Sequence, residues 1–313
     1  MPTPHHRSQR GFLLALLTAS MWGLLPISMA LLVKQLTPFT ITWWRLAGSA
    51  ALLAGWLASR GSLPRLDRQL LKSLPWLTVA LVGLIGNYLC YSASLQHTTP
   101  SVSQIVIQLA PMLLLVAGLW LFHERLSRIQ AAGLGVLLIG LALFFNHRLP
   151  ELLSLRGELS TGVALVVLSS VLWANYGIAQ KKLLSRMTPP QILLLLFVAG
   201  MLVLWPLAHP ADALQLNRAG GLLLLFAVAN TVISYLSFAE AMAAWEISRV
   251  SAVVSVGPVF TLASMALLER WLPGTLPPEG LNYLSVTGAL LVVGGSATCA
   301  LGAAARRGTK ATR

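Results

Sequence analysis

One charged side chain, Arg45, lies within the apolar stretch of residues 41–55 (ITWWRLAGSAALLAG). A guanidinium group can bind a carboxylate through two parallel hydrogen bonds, so Arg45 could orient an anionic or zwitterionic ligand. The residue lies about 9 Å along a helix that begins near Phe39, at 1.5 Å per residue. If that helix crosses a membrane, the side chain could instead extend outward past Trp43 and Trp44 and anchor the helix at the interface. The sequence leaves both interpretations open.

Two sets of polar side chains share one helical face with a proline: Gln104, Gln108 and Pro111, and Ser251, Ser255 and Pro258. Both sets have the spacing i, i+4, i+7, which places each set on a single face. Each proline removes a hydrogen bond from the carbonyl group four residues earlier, so a helix break is predicted in both places. Matched breaks in two membrane helices indicate a ligand cavity near the middle of the membrane. The alternative is that these polar side chains only join helices to one another.

Other candidate ligand-binding residues lie near the centres of predicted helices: Trp22, Asn87, Tyr91, Trp173, Tyr176, Asn230 and Ser234. Asn87 and Tyr91 are four residues apart, as are Asn230 and Ser234, so each pair lies on one helical face. Tryptophan is more usual at the membrane interfaces. A central Trp22 therefore suits an amphiphilic or aromatic ligand, although it could equally fill space between helices.

Two further residues of predicted helices have a possible mechanistic role. Pro26, in the first predicted helix, is a third candidate helix break. Glu240 has apolar neighbours near the end of its predicted helix. It could carry a proton if the helix holds its carboxyl group deep in the membrane.

The elements that position these residues are predicted to be membrane helices. The chain has 313 residues, of which 56% are hydrophobic and 10% are charged, too few charged side chains to cover a water-soluble protein of this size. Windows of about 20 apolar residues, the length that crosses a membrane, predict ten helices at 11–33, 39–58, 74–95, 101–122, 129–146, 159–179, 191–209, 219–239, 247–268 and 281–302.

The distribution of basic residues predicts the orientation of the chain. The net charge is +13, which in a soluble protein would suggest nucleic acid binding. Here most of the 22 lysines and arginines fall in alternate loops, as expected for cytoplasmic segments. We therefore expect both termini in the cytoplasm and no nucleic acid partner.

The sequence also contains an internal repeat. Gly11, Trp22 and Thr37-Pro38 correspond in their spacing to Gly162, Trp173 and Thr188-Pro189. The last helix of each half carries two glycines seven residues apart, which predicts close helix packing: Gly133 and Gly140, and Gly288 and Gly295. Since each half has five helices, the second crosses the membrane in the opposite sense. The predicted fold is an all-α polytopic membrane protein of ten transmembrane helices, arranged as two inverted five-helix repeats at 1–148 and 149–313.

Four stretches resemble one known family: ASMWGLLPI in the first helix, the early arginine of the second, VIQLAPMLLLVAGLWLFHERLS at 106–127 and SRVSAVVSVGPVFTLASMALLER at 248–270. In this respect the chain resembles the EamA-type carriers of the drug/metabolite transporter superfamily. The pattern from proline to glutamate, which ends at Glu124 and Glu269, occurs in both halves. The resemblance implies a carrier of small metabolites.

The predicted function is a secondary transporter that exports small amphiphilic metabolites, such as amino acids, across the bacterial inner membrane by alternating access. Its expected partners are a small-molecule substrate and the lipid bilayer, and we expect a monomer or homodimer. No Walker A pattern, cofactor motif, metal-ligand cluster or catalytic set is present, so neither an enzyme nor a cofactor is predicted. The alternatives are a nucleotide-sugar or sugar-phosphate carrier and a non-transporting membrane structural subunit.

Overall fold

The computed structural model describes residues 4–64, 68–113, 116, 127–245 and 247–311. These residues fold into α-helices and one short 3₁₀ helix, Pro210–Gln215, with no β-strand among them. The α-helices are α1 Pro4–Leu32, α2 Pro38–Ser59, α3 Arg68–Ser94, α4 Pro100–Val106, α5 Arg128–Phe144, α6 Leu149–Leu153, α7 Glu158–Leu183, α8 Pro189–Leu204, α9 Arg218–Ala244, α10 Ile247–Val254, α11 Gly257–Trp271 and α12 Tyr283–Ala311. Residues 109–113 are also helical. Glu124 and the rest of its motif at 117–126 lie outside the described residues.

Six helical stretches are long and apolar enough to cross a membrane: Gln9–Leu32, Leu70–Ser94, Glu158–Leu183, Arg218–Ala241, Arg249–Trp271 and Tyr283–Leu301. Three shorter apolar helices accompany them, Pro100–Leu113, Arg128–Phe144 and Pro189–Leu204. The predicted all-α polytopic membrane protein is confirmed. The number of ten transmembrane helices and their inverted arrangement remain predictions.

Several helices begin at a Thr-Pro pair: Thr37-Pro38, Thr99-Pro100 and Thr188-Pro189. Threonine caps the helix, and proline fits the first turn, where its missing N–H group is not needed. Thr37 Oγ1 accepts a hydrogen bond from the Thr40 amide at 3.2 Å, and Thr99 Oγ1 accepts one from the Val102 amide at 3.4 Å. These caps fix where the chain turns back into the helical bundle.

The main helix contacts join the part of the chain before residue 148 to the part after it. α1 packs against α9, α3 against α7, α2 against α8, and α5 against α12. Two of these pairs are reciprocal. The first long helix of the first part, α1, contacts the third of the second part, α9, and the first of the second part, α7, contacts the third of the first part, α3. The largest buried apolar cluster is formed by α2, α3, α7 and α8, and it lies next to Arg45.

The contact between α5 and α12 depends on glycine. A Cβ atom at Gly295 would lie 2.5 Å from the Leu137 nitrogen and 2.6 Å from the Gly133 carbonyl oxygen. A Cβ atom at Gly140 would lie 2.6 Å from the Val292 nitrogen. Real side chains do not fit at these distances, so the two backbones touch directly. This confirms the close packing predicted from the glycine spacing.

Candidate functional site

Arg45 is buried between three helices. Only 4% of the residue is exposed. Its Nε donates a hydrogen bond to Thr231 Oγ1 in α9 at 3.1 Å, and its guanidinium carbon lies 4.3 Å from the ring centre of Tyr88 in α3. The side chain therefore points into the bundle and does not extend outward past Trp43 and Trp44 to the membrane surface.

Thr231 fixes the direction of this hydrogen bond. Its hydroxyl group donates its proton to the Ala227 carbonyl oxygen at 2.8 Å, which leaves the oxygen free to accept from Arg45. A guanidinium group has five N–H donors, and the bond to Thr231 uses one. No other hydrogen bond to Arg45 is made by the described residues. Most of the N–H donors of Arg45 are thus available to a ligand.

No carboxylate of the described residues neutralises Arg45; the ion pairs formed between two described residues are Arg10–Glu240 and His97–Glu158. Removing a cation from water without an acidic partner is costly. The face of the Tyr88 ring offsets part of this desolvation cost through a cation–π interaction. An anionic ligand would offset more of the desolvation cost, because it would accept hydrogen bonds from the remaining N–H groups of Arg45.

Two buried tyrosine hydroxyl groups also lack hydrogen-bond partners: that of Tyr88, beside Arg45, and that of Tyr176, near Tyr88. Tyr88 and Tyr176 are 5% and 2% exposed, and among the described residues neither hydroxyl has a partner of acceptable geometry. The Tyr88 hydroxyl lies near that of Tyr235 without forming such a bond. A buried polar group without a partner costs about 1–3 kcal/mol. This grouping of an unneutralised cation and unpaired hydroxyls has the character of a binding site for a polar group.

The predicted residues Tyr91, Gln104, Trp22 and Ser234 meet in two further contacts. The Tyr91 hydroxyl donates to Gln104 Oε1 at 2.9 Å, and Trp22 Nε1 donates to Ser234 Oγ at 2.9 Å. The Trp22 ring packs edge-on against Tyr235, with ring centres 5.7 Å apart. Since Tyr88 lies against Arg45 and near Tyr235, an aromatic surface adjoins the cation.

The helices are interrupted before both predicted prolines. α4 ends at Val106, residues 107 and 108 form a turn, and helical structure resumes at 109, before Pro111. Likewise α10 ends at Val254, and α11 begins at Gly257, before Pro258. The Ile107 carbonyl, which Pro111 deprives of its normal partner, accepts from the Ala110 amide at 2.8 Å. The breaks thus lie where the sequence predicts them.

Gln108 bridges the two breaks. Its Nε2 donates to the carbonyl oxygen of Ser255 at 2.7 Å, whereas the Ser255 hydroxyl donates within its own turn, to Ala252 at 2.8 Å. The two predicted polar faces therefore meet, through one side chain and one main-chain group.

Gln108 takes part in this contact through its side chain and Ser255 only through its main chain, which gives a prediction. Gln108→Ala removes the donor to a buried main-chain carbonyl, so we expect a loss of transport rate of about fivefold or more, since a buried group without its partner costs about 1–3 kcal/mol. Ser255→Ala is the matched control and should remain close to the parent rate, because the main-chain carbonyl is kept. Initial rates in liposomes at equal protein density measure both. Equal losses in the two variants would contradict a bridging role for Gln108.

Asn87 and Asn230 join helices. Asn87 Nδ2 donates to the hydroxyl and carbonyl oxygens of Ser169 in α7, at 2.7 and 3.1 Å. Asn230 Nδ2 donates to the Met21 carbonyl oxygen in α1 at 2.6 Å. Both amides thus hold the reciprocal pairs together. Of these two side-chain amides, that of Asn230 keeps one buried atom, Oδ1, without a partner among the described residues.

Other predicted residues lie apart from these contacts. Trp173 is half-buried against the cluster of α2, α3, α7 and α8. Ser251 is half-buried in α10, and its side chain makes no hydrogen bond to another described residue. α1 continues without interruption through Pro26, so the structure has no helix break at that position.

Glu240 is not deep in the protein. Its side chain is 56% exposed, and Oε2 lies 2.8 Å from Arg10 Nη2, whose side chain is 66% exposed. Its carboxylate thus has a cationic partner in α1, which apolar neighbours in the sequence do not reveal. The proton-carrying role of Glu240 stays a prediction.

Three residues of the site were missed by the sequence analysis: Tyr88, Thr231 and Tyr235. Each directly follows a candidate residue, Asn87, Asn230 or Ser234, but neighbours in a helix point in different directions. A signal was present in the polar and aromatic composition of these segments. Which face turns toward Arg45 depends on the packing of α3 and α9.

The model of one protein family, described as the EamA-like transporter family, matches the chain twice, at residues 9–146 and 160–298. The chain belongs to the EamA-like transporter family. As a member of this family it is a transporter, which confirms the resemblance of its motifs.

Relatives and a solved structure agree with this EamA-family assignment. The "Uncharacterized inner membrane transporter YhbE" of Escherichia coli (strain K12) is 38% identical over 295 residues, which cover 93% of this chain and 91% of the relative. The "Probable amino-acid metabolite efflux pump" of Salmonella typhimurium is 24% identical over 304 residues, covering 92% and 94%. A solved structure titled "Crystal structure of protein" has 18% identity and a TM-score of 0.63, covering 93% and 98%, and thus shares the fold.

Proposed function

We propose that this EamA-family transporter exports small amphiphilic metabolites that carry a carboxylate, such as amino acids, and that Arg45 binds the carboxylate. The observation that carries the proposal is a buried guanidinium group with no acidic partner among the described residues. The name of the Salmonella relative, a probable amino-acid metabolite efflux pump, supports the same substrate class.

The surroundings of Arg45 support an amphiphilic substrate. Tyr88, Tyr235 and Trp22 provide apolar ring surface beside the cation. Tyr91 and Gln104 provide polar groups that are joined to each other. A molecule with a carboxylate at one end and an apolar or aromatic group at the other would satisfy both surfaces.

Sugar phosphates and nucleotide sugars fit this site less well. Among the described residues, Arg45 is the only lysine or arginine that is buried. A doubly charged phosphate would require further cations around it. We propose no enzymatic step and no cofactor for this protein.

Transport is proposed to occur by alternating access between two inverted halves, 1–148 and 149–313. The two matches to the family, the reciprocal helix pairs and the matched helix breaks support this arrangement.

We place ten helices in the inner membrane of a bacterium, with both termini in the cytoplasm and the protein as a monomer or homodimer. Labelling of a cysteine at Lys181 by an impermeant reagent added outside intact cells would contradict this orientation.

The substrate class is tested with purified protein in liposomes that are loaded with a mixture of unlabelled amino acids. We expect radiolabelled amino acids added outside to accumulate transiently by exchange, in a saturable manner. The methyl ester of a transported amino acid should compete at least about tenfold less well, because it cannot accept both hydrogen bonds from Arg45. Liposomes without protein are the control, and equal competition by acid and ester would contradict the role of the carboxylate.

A further inference from the structure

Glu279 is a buried acidic residue outside the predicted site. It lies between α11 and α12 and is 7% exposed. Its Oε1 accepts a hydrogen bond from the amide of Ser101, in the first turn of α4, at 3.1 Å. Its own carbonyl oxygen accepts from Arg148 Nη2 at 2.8 Å. One residue of the second half thus holds two segments of the first.

The carboxylate of Glu279 forms no ion pair within the described residues. Arg148 is the charged group that acts on it, but that guanidinium contacts the main chain and not the carboxylate. The hydroxyl groups of Thr99 and Ser101 face it from the start of α4. Burial raises the pKa of Glu279 above its usual range, and these hydrogen-bond donors and Arg148 offset only part of that effect.

Other contacts between the halves lie at the same end of the bundle. Lys34 Nζ donates to the Thr275 carbonyl oxygen at 3.0 Å, and Trp44 Nε1 donates to the Pro210 carbonyl oxygen at 3.2 Å. In the proposed orientation this is the outer end. The structure is therefore closed there by contacts that an outward opening would have to break.

We propose that Glu279 makes closure of the outer end sensitive to external pH, because closure buries its carboxyl group between the halves and opening returns it to water. The proposal rests on the alternating access proposed above. It gives the role of proton-sensitive acid to Glu279, where the sequence suggested Glu240.

The direction of the effect follows from linkage. A group whose pKa is higher in one state binds protons more strongly in that state, so lowering the pH stabilises it. The pKa of Glu279 is raised in the closed state, and in an open state the exposed carboxyl group would have its ordinary value. External acid is therefore expected to favour closure. In an exporter this would help the empty protein return after it releases its substrate outside.

The test measures the distance between two spin labels at the outer end of the full-length protein in liposomes, without substrate. Gln96 and Arg270, both exposed, are changed to cysteine for labelling, with Cys90 and Cys299 changed to serine. As the pH falls from about 8 to about 5, we expect the ratio of short to long distances to increase about threefold or more, since each pKa unit between the states corresponds to a factor of ten.

Three variants make the test specific. Glu279→Gln keeps an acceptor but cannot ionise, so its distances should stay short and independent of pH. Arg148→Gln should move the transition to higher pH, because the guanidinium lowers the pKa of Glu279. Glu151→Gln removes an exposed acid from the short helix α6 at the same end and should leave the parent response unchanged.

The outcomes separate this proposal from the proposed function. A parent protein that opens in acid or does not respond to pH, or a Glu279→Gln variant that still responds, would overturn the role of Glu279. If both a short and a long distance between the spin labels are present in any of these cases, alternating access is still supported, but without a role for Glu279. A single short distance under every condition, with transported amino acid present or absent, would contradict alternating access as well.

Discussion

Replacing Arg45 with lysine is expected to reduce the apparent affinity for a transported carboxylate roughly tenfold to hundredfold. Lysine keeps the positive charge but cannot form the two parallel hydrogen bonds of a guanidinium group. Loss of one charge-assisted contact corresponds to about 1.5–3 kcal/mol. The contact with the Tyr88 ring and the bond from Nε to Thr231 also depend on the guanidinium shape. Concentration dependence of exchange in liposomes measures the change.

Arg45→Leu is the matched control for folding. By the spacing of the repeat, the counterpart of Arg45 in the second half is Leu196, which is buried in the cluster of α2, α3, α7 and α8. A leucine at position 45 is therefore expected to preserve the fold and abolish binding of the carboxylate. Full activity of the lysine variant would contradict a contact of two parallel hydrogen bonds between Arg45 and the carboxylate.

Replacing Gly295 with valine is expected to cause the largest loss of stability. The first added carbon would already lie 2.5 Å from the Leu137 nitrogen in α5, and backbone atoms cannot move aside as a flexible side chain can. Overpacking of a well-packed interior costs about 1–3 kcal/mol, and sometimes more. We expect the variant to unfold at a markedly lower temperature in detergent and to accumulate poorly in the membrane.

The neighbouring residue provides the control for this substitution. A Cβ atom at Gly294 would have no atom within 4 Å apart from its own helix and chain neighbours, so Gly294→Val adds the same side chain to α12 without a clash. Its unfolding temperature should stay close to that of the parent. If both variants lose stability equally, the cause would be valine in this helix, and not contact with α5.

Features with a local physical cause could be predicted from the sequence. Pro111 and Pro258 each remove a main-chain hydrogen bond, and the helix breaks lie just before them. Pro26 removes a bond in the same way, but α1 continues through it. Glycines seven residues apart lie on one face whatever their partner, so close packing of α5 and of α12 was predictable as well, but not that each is the other's partner. In each confirmed case the residues that matter are near one another in the chain.

Features that depend on distant residues could not be predicted. Thr231 lies far from Arg45 in sequence, and only the packing of α9 against α2 brings its hydroxyl to the guanidinium group. The two acidic residues show the same limit. Glu240 has apolar neighbours but is exposed beside Arg10, whereas Glu279 lies in a loop but is buried, because the start of α4 covers it.

The glycine contact between α5 and α12 restricts where the protein can move. Gly133 and Gly140 are seven residues apart, about two helical turns or 10 Å, and both touch the α12 backbone. Two contacts at that separation fix the angle between the helices as well as their distance. Sliding one helix along the other would press a larger side chain against the opposite backbone. α5 and α12 should therefore move as one rigid unit, and the other helices should rearrange relative to this pair during transport.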